Sequence, residues 1–273
     1  MSLQLYDIKG RLQNWPDSDR AWQFGDGVFR TALVRQGQVR DLVGQLTHLL
    51  GDARKLRLEP LPDLDQLMEA TSAVTRGQVC ARLKWVISAG DSSAGYVRAG
   101  PPRAMLALLP LPKDYRPLGQ MQAWICSTRL SHSENTRGAK SLNRLDQVLA
   151  RTEQDPHQWP EGLMCDREGH LASGISSNLF WADPQGRLST HPLDDCGVRG
   201  RTRARILALA EAAGQPVMQR SATPAEVFQE AAEILLCNSL WGVASVTSVA
   251  DWSAQSEQLA KALRDALHQE EAA

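Results

Sequence analysis

Between residues 109 and 120 the chain reads LPLPKDYRPLGQ, three prolines and a glycine in one short stretch. Proline lacks an amide proton and has a fixed φ, so neither a helix interior nor a central strand runs through such a stretch. A chain of 273 residues interrupted there divides into two domains of ordinary size. The expectation is a smaller α+β domain over 1–114, a linker at 115–120 and a larger α+β domain over 121–273.

Periodicity fills in both halves. Leu42, Val43, Leu46, Leu49, Leu50, Ala53 and Leu56 recur at three- and four-residue spacing, an amphipathic helix, and Leu64, Leu67, Met68 and Val74 mark a shorter one. From Val79 to Ser88 apolar and polar residues alternate, the signature of a half-buried strand, and AMLALLPL follows as a more apolar one. Beyond the linker the apolar runs MQAWIC, EGLMCD, SNLFWAD, EILLCN and VASVTSV read as strands. Helices are expected over about 143–153 and 200–213, with a last one carrying Leu259, Leu263, Ala266 and Leu267. Short strands joined by hairpin-length loops argue for α+β rather than a regular βαβ series.

Composition excludes several classes. Hydrophobic residues at 42% and charged residues at 22% are enough for a core and a solvated surface, so the chain is not disordered. A net charge of -1 gives no bulk field for nucleic acid or anionic lipid. The five cysteines form no C-x-x-C pair and lie mostly in apolar runs, which suits small buried residues in a reducing compartment. The N-terminus lacks the basic and apolar regions of a signal peptide, and no apolar run approaches the roughly 20 residues of a membrane span. The expectation is a cytoplasmic protein without nucleic-acid or membrane partners. The six histidines have no metal spacing, and neither a P-loop nor a G-x-G-x-x-G follows a strand, so no metal site or nucleotide fold is expected.

Five segments are candidates for chemistry. In RGAKSLNRL, Lys140 stands between a strand and a helix bearing Leu142, Leu145 and Val148 that would anchor it on a core. It reads either as a solvated surface charge or as a desolvated nucleophile able to form a Schiff base. In THPLDDCGVRGRTRARIL, Gly197 and Gly200 precede a helix, which reads either as a phosphate-binding helix start or as a tight turn before a basic face. SGISSNLFW and CNSLWG put small polar residues at strand ends, as a ligand pocket or a hairpin turn both do. DRAWQFGDGVFRT is a dense turn or a cleft wall.

Taken in order, DRAWQFGDGVFRT, GAKSLNRLDQVLAR, EGLMCDREGHLASGISSNLFW, THPLDDCGVRGRTR and CNSLWGVASV resemble the class IV aminotransferase family, the fold type IV pyridoxal-phosphate enzymes. Within it, F-G-D-G-V-F, K-x-L-N-R-L-x-Q-V-L and C-N-S-L resemble the aminodeoxychorismate lyase branch, while KSLN and THP also resemble the D-amino-acid aminotransferases. The resemblance implies two α+β domains with pyridoxal 5'-phosphate between them, and a homodimer whose partner loop approaches the substrate. It makes Lys140 the Schiff-base lysine. Main-chain N–H groups around Val198 and Arg199, with Ser239, would hold the phosphate, and Ser176, Ser177 and Asn178 would flank the cofactor. Gly25 to Thr31, with Phe29 and Thr31 on the substrate side, would wall the site.

The chain departs from the family pattern in several places. Serine stands at 173, where most members carry the glutamate that keeps the pyridine nitrogen protonated. His48 takes the place of the phosphate-binding arginine, and Ala89 and Ala94 take two further arginine places. Arg199 or Arg201 would stand in for the missing arginine. The activity implied is lysis of 4-amino-4-deoxychorismate to 4-aminobenzoate and pyruvate, downstream of aminodeoxychorismate synthase. Transamination of D- or branched-chain amino acids, or a relative impaired in cofactor binding, are the alternatives.

Overall fold

A computed structural model of the chain describes residues 2–92 and 95–272. These divide into two compact units, residues 1–116 with 139–143, and residues 117–138 with 144–273.

The first unit contains β1 (Gln4–Asp7), α1 (Arg20–Phe24), β2 (Gly27–Arg35), β3 (Gln38–Val39), α2 (Leu42–Lys55), α3 (Leu64–Thr75), β4 (Cys80–Ser88) and β5 (Arg103–Pro110). Its strands form an antiparallel sheet in the order β1-β5-β4-β2-β3. The period-two phase of β2 decides which side is core: Val28, Ala32 and Val34 pack with Leu46, Leu49 and Ala53 of α2 and Leu67 and Val74 of α3. The alternation expected over 79–88 becomes β4, and the two amphipathic runs become α2 and α3. DRAWQFGDGVFRT is more ordered than a turn. It contains α1, capped by the Asp19 side chain on the Ala21 N–H, then Gly25 at φ +62° and the start of β2.

The second unit contains β6 (Gln120–Ile125), α4 (Leu145–Arg151), β7 (Glu161–Cys165), β8 (Leu171–Gly174), β9 (Asn178–Ala182), β10 (Leu188–Thr190), α5 (Arg201–Ala212), β11 (Met218–Gln219), α6 (Pro224–Glu230), β12 (Glu233–Asn238), β13 (Gly242–Val249), β14 (Trp252–Ser253) and α7 (Gln258–Ala272). Strands β9, β12, β13, β6, β7 and β8 pair in that order, and β8 pairs back to β9 at Ser173 and Asn178, so the sheet closes on itself. Leu163, Leu179, Trp181, Ile234, Leu236 and Val246 belong to one buried cluster. Phe180, Leu235 and Val243, on the other phase, pack with Ile206 of α5 and Leu263 and Leu267 of α7. All five cysteines are buried free thiols.

One expectation fails. Leu145 and Val148 do not anchor α4 on a core: with Leu149 they are 67%, 57% and 49% exposed. Only Ala150 of that helix is buried, so its apolar stripe faces outward.

Candidate active site

The residues singled out from the sequence fall into two groups, one in each unit. In the first, β3 pairs only with Val34 and Arg35, which leaves the early part of β2 open along that edge. Residues 139–143 fill it. The Leu142 N–H donates to the Gly27 carbonyl at 2.8 Å, the Phe29 N–H donates to the Lys140 carbonyl at 2.9 Å, and Ser141 bridges Val28. Lys140, which the sequence reading counts with the residues after 121, is thus stitched to the sheet of the first unit. Gly25 makes the close passage of Asn143 feasible, since a Cβ there would lie 2.5 Å from Asn143 Oδ1.

The Lys140 side chain is half-buried, with Nζ 4.8 Å from the centroid of the Phe29 ring. Lys84 of β4 reaches the same ring at 4.2 Å. Both are cation–π contacts, which hold an ammonium on an aromatic surface without neutralising it. Burial, helped by the Arg82 charge, holds the Lys84 amine below the ordinary lysine range. Phe29 and Thr31 share the phase of β2 that points away from the helices. His48 sits half-buried on α2, which covers the opposite side of that sheet. Ala89 is buried and donates its N–H to the Asp26 carbonyl at 2.9 Å, and Ala94 lies outside the described residues.

In the second unit the organising residue is Asn178. Its Nδ2 donates to the Val198 carbonyl at 2.7 Å, and its Oδ1 accepts the Gly200 N–H at 3.1 Å. The two bonds fasten the start of α5 to β9. Gly200 is the N-cap residue, and a Cβ on it would come within 2.3 Å of Asn178 Oδ1, so the approach requires glycine. The Arg199 N–H donates to the Gly138 carbonyl at 2.9 Å and its guanidinium pairs with Asp194, so both of these Arg199 groups already have protein partners. The first turn of α5 has no side-chain cap and presents the positive end of the helix dipole.

Ser173 is buried and its hydroxyl donates to the Gly174 carbonyl at 2.8 Å. Ser176 is exposed. Its N–H and hydroxyl donate to the two oxygens of Glu161, at 2.9 and 2.6 Å. Glu161 is fully buried, and burial pushes its carboxyl above the ordinary range in spite of those bonds. Ser177 Oγ is buried without a hydrogen-bond partner among the described residues. Ser239 follows Asn238, whose Oδ1 accepts the Leu240 and Trp241 N–H groups at 2.9 and 3.0 Å.

Each unit offers one part of the chemistry that a phosphorylated aldehyde requires. Lys140 offers a half-buried primary amine, the group that condenses with a carbonyl. An uncapped helix start, gripped by the neighbour of an unsatisfied buried hydroxyl, suits anionic oxygens. Glu161, Lys84, Arg30 and Asp52 are the functional-looking groups that sequence reasoning passed over. Arg30 and Asp52 each left one signal, a charged residue on the apolar phase of its element, whereas Lys84 lies on the polar phase of β4, where a charge is ordinary.

The family model for amino-transferase class IV matches residues 27–249. The chain is 31% identical to the crystal structure of 4-amino-4-deoxychorismate lyase from Pseudomonas aeruginosa, with a TM-score of 0.86 and 98% of each chain covered. It is 28% identical to an aminodeoxychorismate lyase of Vibrio harveyi over 86% of this chain and 87% of that one. A putative branched-chain-amino-acid aminotransferase of Methanocaldococcus jannaschii is 25% identical over 77% and 74%.

Proposed function

The chain belongs to the amino-transferase class IV family, and from that premise we propose that it is a pyridoxal-phosphate-dependent lyase converting 4-amino-4-deoxychorismate to 4-aminobenzoate and pyruvate. The observation that carries the reading is Lys140, an amine laid half-buried on Phe29 by a main chain stitched to β2. The start of α5, the Ser177 hydroxyl and Ser239 would hold the phosphate, with Asn178 keeping the turn in place. When bound, pyridoxal phosphate supplies an aldehyde for amine exchange and a ring that accepts electrons. Lys140 does the proton work. Its amine takes the proton from C4 of the substrate, the C3–O bond breaks, and enolpyruvate leaves and is protonated at its methylene carbon. The ring left behind is aromatic, which drives the step.

Two features favour lysis over transamination. The lyase name is carried by a solved structure 31% identical and a relative 28% identical to this chain, against 25% for the putative branched-chain aminotransferase. Ser173, whose hydroxyl faces a carbonyl, supplies no negative charge, and an elimination that aromatises its product asks least of the cofactor ring. The substrate requires an aminating synthase upstream. The outward stripe of Leu145, Val148 and Leu149 supports association with a second copy. Five buried thiols suit a reducing cytoplasm, and no helix among the described residues is long and apolar enough to cross a membrane.

Purified protein given 4-amino-4-deoxychorismate should form equal amounts of 4-aminobenzoate and pyruvate, and borohydride should fix the cofactor on Lys140. Lys140→Ala should lower the rate by about 10⁴-fold or more. Exchange of D- or branched-chain amino acids with keto acids in place of that elimination would overturn the assignment.

A further inference from the structure

The main chain of Lys140 is held from two sides. Its carbonyl accepts from Phe29, an ordinary sheet-edge bond, but its own N–H donates to Asp52 Oδ2 at 3.1 Å. Asp52 belongs to the last turn of α2 and is 4% exposed. Neither fact favours an acid. The C-terminal end of a helix is the negative end of its dipole, and Asp52 interrupts the buried stripe between Leu49 and Ala53. Its partner is Arg30, 3% exposed on the inward phase of β2 between Val28 and Ala32, with Nη2 at 2.5 Å. Arg30 Nε is buried and makes no hydrogen bond among the described residues.

For packing alone this is a poor arrangement. Two buried charges with an unmatched donor hold a core together no better than two apolar side chains of the same volume. What the pair does, and an apolar pair cannot, is accept the Lys140 N–H in a charge-assisted bond. We propose that Asp52, its charge held by Arg30, is a positioning residue that fixes the peptide of Lys140 so that the amine leaves the chain over Phe29. The argument rests on Lys140 being the reactive lysine. A side chain with four rotatable bonds is placed well only if its Cα is, and a small displacement at the root becomes a large one at Nζ. Arg30 keeps the clamp neutral as a unit, so the grip on the peptide adds little field at the amine.

The test compares the parent with Arg30→Met/Asp52→Leu, which replaces the pair by apolar volume, and with Asp52→Asn, which keeps an acceptor oxygen but no charge. In cofactor-free protein, hydrogen exchange at the Lys140 amide should rise about tenfold or more in the double variant, with Tm at or above that of the parent. In the loaded enzyme kcat should fall about a hundredfold with KM little changed. Asp52→Asn should show an intermediate rise in exchange, and decides the question if the double variant does not fold. Exchange at Lys140 unchanged in both variants, or raised equally in β4 and β5, would overturn the clamp and leave a merely structural ion pair. Borohydride trapping on the parent reports separately on Lys140, so a wrong functional reading and a wrong clamp give different results.

Discussion

The stretch that carries Lys140 and the turn that begins α5 are both short and glycine-flanked, and both are gripped by a buried side chain, yet the holding groups differ in kind. Lys140 is gripped by a carboxylate, Asp52, itself paired with a buried guanidinium. The turn at Val198–Gly200 is gripped by a neutral amide, Asn178, which offers one donor and one acceptor. Electrostatics explains the choice. A helix start that is to bind an anion loses its purpose beside a fixed negative charge, because the dipole and a carboxylate cancel within the first turn. A lysine tolerates an acid beneath its peptide, provided the acid is neutralised by something else.

The sharpest way to break that contrast is Asn178→Asp. The change keeps size and the acceptor for Gly200 but removes the donor to the Val198 carbonyl and sets an anion at the head of α5. Cofactor affinity should fall about a hundredfold, read by equilibrium titration of its absorbance, with a stability loss of about 2–3 kcal/mol from the orphaned carbonyl. Asn178→Ala, which removes the bonds without adding charge, should weaken binding only about tenfold. Equal effects from the two would mean that charge is not why an amide stands there.

Glu161 sharpens the same contrast, since it is a carboxylate in the second unit. Burial pushes it toward the protonated form, and its oxygens serve Ser176 rather than the helix start. If its work is to accept hydrogen bonds and not to supply charge, Glu161→Gln should cost about 1 kcal/mol in denaturant unfolding and Glu161→Ala about 3 kcal/mol. A glutamine variant as damaged as the alanine one would show that the charge itself is needed.

What the sequence disclosed and what it hid follow from these two kinds of holding. Period-two and helical spacing located α2, α3, β4 and most strands of the second unit, because burial of one face writes itself into the order of residues. Lys140, Asn178 and Gly200 stood out because small residues cluster where backbones approach closely. Asp52 and Arg30 did not, although each breaks an apolar phase, because their meeting depends on how α2 lies across β2, and residues 22 positions apart carry no mark of that. The outward face of α4 is hidden for a related reason: Leu145 and Val148 have the spacing of a core stripe, and spacing does not say which side the rest of the chain occupies. Arg199 looked like a ligand cation, but the fold commits its amide to Gly138 and its guanidinium to Asp194.

The smallest effect expected comes from a third fastening of the turn before α5, and it depends on pH. His191 Nδ1 accepts the Leu193 N–H at 3.0 Å, so the ring proton is on Nε2, which faces Asp166 Oδ2 at 3.2 Å. Leu193 sits at φ +58°, a conformation a leucine keeps only when it is held. Burial lowers the His191 pKa below its usual 6.5 and outweighs the attraction of Asp166, while His170 and Arg203 push the same way as burial. Asp166 is itself lowered. Burial acts against that shift, but hydrogen bonds from His170 and the charges of His170 and His191 prevail. Both groups therefore bind protons more readily when unfolded. The stability from His191 is complete above about pH 6.5 and is lost as pH falls below it, and that from Asp166 is lost only below about pH 3.8. Tm of the cofactor-free protein should decline from pH 7.5 to 5, modestly and at constant salt. In His191→Asn, whose side-chain oxygen can accept the Leu193 N–H but does not titrate, that part of the decline should vanish. A parent whose Tm is level over that range would show that the turn is held without the histidine, and that the asparagine of β9 and the glycine it grips are sufficient.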